Sequence, residues 1–211
     1  MKLSNTKELL KRRLEKDPLR DFFIWWDEIN EKDVEALTLN IENAKCEEEI
    51  QQFLQNNPKY LIQHLGGGHG RWVLPKKKLG AEYITDFVIG ERHSFGFDWQ
   101  AVELESPKRK MFNKNGDPNQ YLNHAIRQIQ DWRAWLNRNQ NYACRSRDEN
   151  GLGLTDVTPN IAGLIIIGRR KDIDSKTNDR RRQMVQDLNI EIHSYDFLVN
   201  NLKGRIVNRN F

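Results

Sequence analysis

The segments Tyr83-Ile84-Thr85-Asp86-Phe87-Val88-Ile89 and Asp98-Trp99-Gln100-Ala101-Val102-Glu103-Leu104-Glu105 decide the fold. Both are rich in β-branched and aromatic residues and both alternate, so each reads as a strand. Alternation puts Ile84, Asp86 and Val88 on one face of the first. It puts Trp99, Ala101, Glu103 and Glu105 on one face of the second, and Gln100, Val102 and Leu104 on the other. Ser106-Pro107 closes the second strand, because proline cannot donate to the ladder. Paired as a hairpin about a loop near Ser94, the two strands bring Asp86 opposite the region of Ala101 to Glu103, and three carboxylates converge.

Working outward, apolar positions Ile50, Phe53, Leu54, Leu61 and Ile62 predict a helix over 46–65, interrupted at Asn57-Pro58. Gly66–Gly70 is a turn, with neither the Gly-Lys-Ser/Thr ending nor the preceding strand of a phosphate-cradling loop. Arg71–Leu74 predicts a further strand. Downstream, Leu122, Ala125, Ile126, Ile129, Trp132, Ala134 and Leu136 trace the apolar side of a long helix over 119–138, which places Trp132 and Trp135 in the core. The polar stretch 137–160 reads as an exposed or mobile loop. Ile161–Gly168 is an almost continuous apolar run, as in a strand covered on both faces. A short basic helix (178–188), a strand (190–194) and a closing helix (195–202) complete the order. Residues 1–45 read as a helical and irregular extension, with Phe22, Phe23, Trp25 and Trp26 packing on the main body.

Composition agrees with one α/β domain: 211 residues, 37% hydrophobic and 30% charged. No apolar run reaches the ~18 residues of a membrane span. Met1–Glu15 lacks the apolar core of a signal peptide, and Cys46 and Cys144 form no C-x-x-C pair, which suits a cytoplasmic protein with reduced thiols and no zinc ribbon. The charge is uneven, −3 over residues 1–70 and +7 over 71–211. Lys76–Lys78, Lys108–Lys110, Arg169–Lys171 and Arg180–Arg182 concentrate it, either as a surface for a polyanion or as ordinary solvated faces. The five histidines show no metal-binding spacing, and no serine or cysteine hydrolase motif is present.

Clustered carboxylates on a half-buried surface raise one another's pKa and need neutralisation. Mg²⁺ or Mn²⁺ answers that need, since hard cations prefer carboxylate oxygens and keep water positions open. Solvent exposure, or pairing with nearby Lys and Arg, is the plainer alternative.

The ordered pieces EEEIQQFLQNNP (47–58), TDFVI (85–89), VELESP (102–107), MFNKNGDP (111–118), AIRQIQDWRAWL (125–136) and LIIIGRR (164–170) resemble the Shedu anti-phage defence nuclease domain of the PD-(D/E)XK superfamily. The resemblance spans roughly residues 46–202. It implies a restriction-endonuclease-like core, a mixed central sheet flanked by helices, over 46–211 with the helical extension 1–45. It implies metal-dependent DNA hydrolysis, DNA as partner, and homo-oligomerisation. Asp86 and Glu103 match the metal ligands, and Gln128 matches the glutamine of the long helix. One of Glu47, Glu48 and Glu49 matches the first-helix glutamate.

The position two after Glu103, usually lysine in the superfamily, is Glu105. A carboxylate there serves as metal ligand or general base, and cannot offset phosphorane charge as lysine does. Lys108 or Lys110 are candidates for the missing cation. Lys108, Lys110, Lys114, Arg169 and Arg170 are the expected nucleic-acid contacts. A catalytically silent nucleic-acid-binding or sensor module of the same fold is the alternative.

Overall fold

The computed structural model describes residues 2–25, 27–66 and 69–208, the side chains from residue 8 onward. Trp26 and the Gly67-Gly68 part of the expected turn lie outside the described residues. A mixed five-stranded sheet forms the centre. Its strands are β1 (Arg71–Pro75), β4 (Phe87–His93), β5 (Gly96–Leu104), β6 (Ala162–Ile166) and β7 (Ile190–His193), lying side by side in that order. β1, β4 and β5 run antiparallel, and β5, β6 and β7 run parallel. A small separate ribbon pairs β2 (Lys78–Leu79) with β3 (Tyr83–Ile84). The architecture is α/β and fits a restriction-endonuclease-like fold.

Alternation along the strands sorts side chains into two apolar layers. Trp72, Leu74, Val88, Trp99, Ala101 and Ile165 face the long helix α4 (Gln120–Cys144) and pack on its Leu122, Ile129, Trp132 and Trp135. Val73, Phe87, Ile89, Val102, Leu104 and Leu164 face the other way. They meet α2 (Glu31–Asn43) through Leu37 and Ile41, α3 (Glu47–Asn56) through Ile50 and Leu54, and α6 (Asp196–Val207) through Leu198 and Leu202. α5 (Ser175–Leu188) links β6 to β7, and α1 (Lys2–Leu14) precedes the body. Phe23 bridges to Trp72 and meets its ring edge-on at 5.3 Å, with Trp25 edge-on to Phe23 at 5.0 Å, so Phe22 and Phe23 of the aromatic run pack on the main body as expected.

Three local expectations change. The strand expected over 83–89 is split: Tyr83–Ile84 pair with β2, and the sheet strand starts at Phe87. The reason lies in the interrupting residues, because Thr85 N donates to Lys77 O and the Asp86 carboxylate accepts from Leu104 N at 2.9 Å. The long helix runs on to Cys144, past a kink at Asn139 whose side chain donates to Trp135 O.

The stretch 145–160 is neither exposed throughout nor loosely held. Leu152, Leu154 and Val157 are buried in the core, Trp99 Nε1 donates to Thr155 O at 2.7 Å, and Lys77 Nζ donates to Leu152 O at 2.8 Å. Three apolar residues spaced among polar ones carry no helix or strand period, and so look like loop in sequence.

Candidate active site

Strand pairing supplies the first carboxylates. Phe87 lies opposite Val102, which sets Asp86 beside Glu103 at the end of the antiparallel ladder. Glu103 projects toward α4 and is 5% exposed, and Glu105, just past β5, is equally buried. The Glu105 backbone is fixed by donation from its N to Ile166 O at 2.9 Å.

α3 adds a fourth acid from its first turn, where carboxylates favour the helix dipole. Of the three adjacent glutamates, Glu47 turns inward, whereas the exposed Glu49 caps its own helix by accepting from Lys45 N at 2.7 Å. Glu47, Glu48, Asp86, Glu103 and Glu105 line one cleft of about 650 Å³, together with Gln128, His124, Lys108 and Arg109.

Burial and mutual repulsion dominate the electrostatics. Burial pushes Glu105 up to about 8, and the charges of Glu47 and Asp86 add to the shift. Burial likewise pushes Glu47 up to about 7, helped by Asp86 and Glu48 and opposed by Lys76. Glu105 in its protonated form donates to Glu47. Glu103 is raised well above the ordinary carboxylate range, first by burial and then by Asp86, Glu47 and Glu105, although a hydrogen bond from Gln128 works the other way. Tyr195 is fully buried behind the cluster, its hydroxyl has no hydrogen-bond partner, and the four acids add to the effect of burial in raising its pKa.

These donors suit a hard divalent cation in their chemistry. Glu103 Oε2 is buried with no hydrogen-bond partner, a carboxylate oxygen aimed at nothing the protein supplies. The acids do not close into a ready cage: among the described residues no group of three His, Cys, Asp or Glu is arranged to hold a metal. Asp86 explains part of this. Its Oδ2 accepts from Leu104 N, and its Oδ1 accepts from Gln51 and, at 3.1 Å, from Lys76 Nζ.

Of the residues singled out in the sequence, Asp86, Glu103, Glu105 and Gln128 come together, and Lys108 joins them on the cleft wall. Lys110 and Lys114 lie in the loop before α4, outside that wall. Arg169 is held by Asp196 through two bonds of 3.1 and 3.2 Å, and Arg170 opens onto a different cavity with Arg181 and His193. Arg180 and Arg181 also have structural partners, Gly116 O with Asp117 and Ile192 O with Asn178.

Sequence reading missed Gln51, Lys76 and Tyr195. Gln51 was detectable, standing four residues after Glu47 on the same helix face. Lys76 and Tyr195 carry no such signal, since only the pairing of β1 with β4 and the docking of α6 bring them in.

An α/β domain of restriction-endonuclease-like fold, with an acidic cleft at the exit of its central strand, is thus the class defined by fold and site. Residues 44–199 match the family model described as Shedu protein SduA, C-terminal, and the chain belongs to that family. No curated protein matches it.

Proposed function

We propose that the protein is a metal-dependent DNA endonuclease acting in anti-phage defence. One observation carries the reading: the buried, unpartnered Glu103 Oε2 stands in a cleft with four further acids that the fold holds together at a cost. Family membership supports the defence role.

A bound Mg²⁺ or Mn²⁺ would supply Lewis acidity toward a phosphate oxygen and lower the pKa of a coordinated water. Asp86 and Glu103 are the residues to hold it. Glu105 assists as ligand or as base: water oxygen bonds to phosphorus, its proton passes to a carboxylate, and the bond to the departing sugar oxygen breaks. Gln128 holds Glu103 in place. Lys108 on the cleft wall, with the basic surface after residue 70, binds the phosphate backbone without reading sequence.

The test is cleavage of linear and supercoiled DNA with Mg²⁺ or Mn²⁺. Wild type should cut, and Asp86→Asn and Glu103→Gln should each lose at least ~100-fold while keeping their fold. The presence of Glu105 where the superfamily has lysine favours a second reading, a silent nucleic-acid-binding module. Wild type that binds DNA but cuts under none of these conditions would establish it instead.

A further inference from the structure

We propose that Lys76 is the cation of the active site, supplying from the β1 turn the positive charge that Glu105 removes from β5. This rests on the nuclease reading above. Lys76 Nζ lies 3.1 Å from Asp86 Oδ1, and its backbone N donates to Asp86 O at 2.8 Å, so one residue is pinned to Asp86 at both ends. Its charge also acts on Glu47 and Glu48 across the cleft mouth. The pinning follows from sheet register: Pro75 pairs with Phe87, and the next residue on each strand must face its counterpart.

Lys108 and Arg109 stand on the cleft wall, but neither is bonded to Asp86, whose partners are Gln51, Lys76 and Leu104 N. The Arg109 guanidinium lies over the Tyr121 ring at 4.0 Å, and Lys77 Nζ is turned away to Leu152 O. The backbone at Lys76 is left-handed, with φ of +47°, a conformation that a lysine adopts at a cost and that glycine would take freely.

The side chain is 46% exposed, so its long stem can swing. With the cleft free of metal, the ammonium neutralises Asp86. A divalent cation held by Asp86 and Glu103 would compete with the ammonium for Asp86, and the freed ammonium would face the negative charge developing on a phosphate bound in the cleft. Lys76 makes no covalent bond and transfers no proton in this role.

The experiment compares wild type, Lys76→Met and Lys76→Arg by DNA cleavage, by Mn²⁺ titration without DNA, and by thermal melting. Lys76→Met should lose about 100-fold or more in cleavage, the scale of removing one transition-state donor. It should bind Mn²⁺ at least as tightly as wild type, because a competitor for Asp86 is gone. Lys76→Arg should recover part of the lost rate.

Cleavage by Lys76→Met within threefold of wild type would overturn the proposal and leave the nuclease reading standing. So would a tenfold loss of Mn²⁺ affinity in that variant, which would make Lys76 a structural prop. Wild type that never cuts would overturn both. Lys76→Gln replaces the Met variant, with the same expected outcomes, if the latter melts early.

Discussion

Glu105, one residue past β5, donates a hydrogen bond to Glu47 on the first turn of α3, so two acids remote in sequence share a proton across the cleft. Their folded values, about 8 and about 7, stand above the ordinary 4.5. A raised carboxylate pKa means the native state keeps protons that the unfolded chain has already released. The pair's contribution to metal-free stability is therefore fully present below about pH 4.5 and is lost as pH climbs through 7 and 8. Asp86, Glu103, Lys76, Arg109 and Tyr195 face the pair, and only the two cations oppose the loss. Asp33, Asp174 and Asp196, held below their usual values, act only in acid, whereas His64 and Lys77, which burial also holds below theirs, gain stability as pH rises and offset part of the fall. In a chelator, melting at pH 8.5 should lie roughly 5 °C below that at pH 5.5, on the scale of ~2–4 °C per kcal/mol for a chain of this size. Mn²⁺ should restore it by mass action. A flat profile would show that the acids do not repel in solution.

Glu105→Lys should act on the same balance in the opposite sense. The substitution removes one repelling acid and gives Glu47 a partner of opposite charge. In chelator at pH 8 the variant should melt several degrees higher than wild type. Its Mn²⁺ affinity should fall by tenfold or more, read by the same titration. An unchanged melting temperature would mean that Glu105 carries no net repulsion.

Gly168 is required by the approach of two backbones. A Cβ there would stand 2.2 Å from Arg109 O, and the residue is left-handed with φ of +66°. Gly168→Ala should thus cost roughly 3 kcal/mol or more, since neither backbone can move freely. Chemical denaturation measures it. The same variant should weaken Mn²⁺ binding, because the segment forced aside begins at Glu105.

Lys108 and Arg169 should separate in their effects. Lys108 is exposed on the cleft wall, so Lys108→Ala should reduce the salt slope of DNA binding by about one unit. Arg169 is spent on Asp196, and Arg169→Ala should lower stability by about 1 kcal/mol through loss of a two-bond charge pair. Fluorescence anisotropy over a salt series, paired with melting curves, distinguishes the two.

Much of the sheet was legible because alternation is a local property. Val88 and Ala101 face α4 as their parity requires, and the parallel run Leu164–Ile167 is buried on both faces. The site was legible where its residues sit on those strands or beside them, as Glu103 does on β5 and Asp86 does just before β4. Lys76 was not, because its role comes from a register that no local pattern encodes. Leu152, Leu154 and Val157 were missed for a related reason: they join the core through contacts remote in sequence, with Lys77 and Trp99 holding the carbonyls of Leu152 and Thr155. The sequence left Glu47, Glu48 and Glu49 as equal candidates, and only the docking of α3 separates Glu47 from the other two.

The backbone bond from Glu105 to Ile166 also sets an order of events during synthesis. All the acids and Lys76 leave the ribosome before β6 exists, and β5 gains its parallel neighbour only after the 25-residue helix α4 has been made. A partly translated chain therefore carries every reactive group without the strand that aligns them.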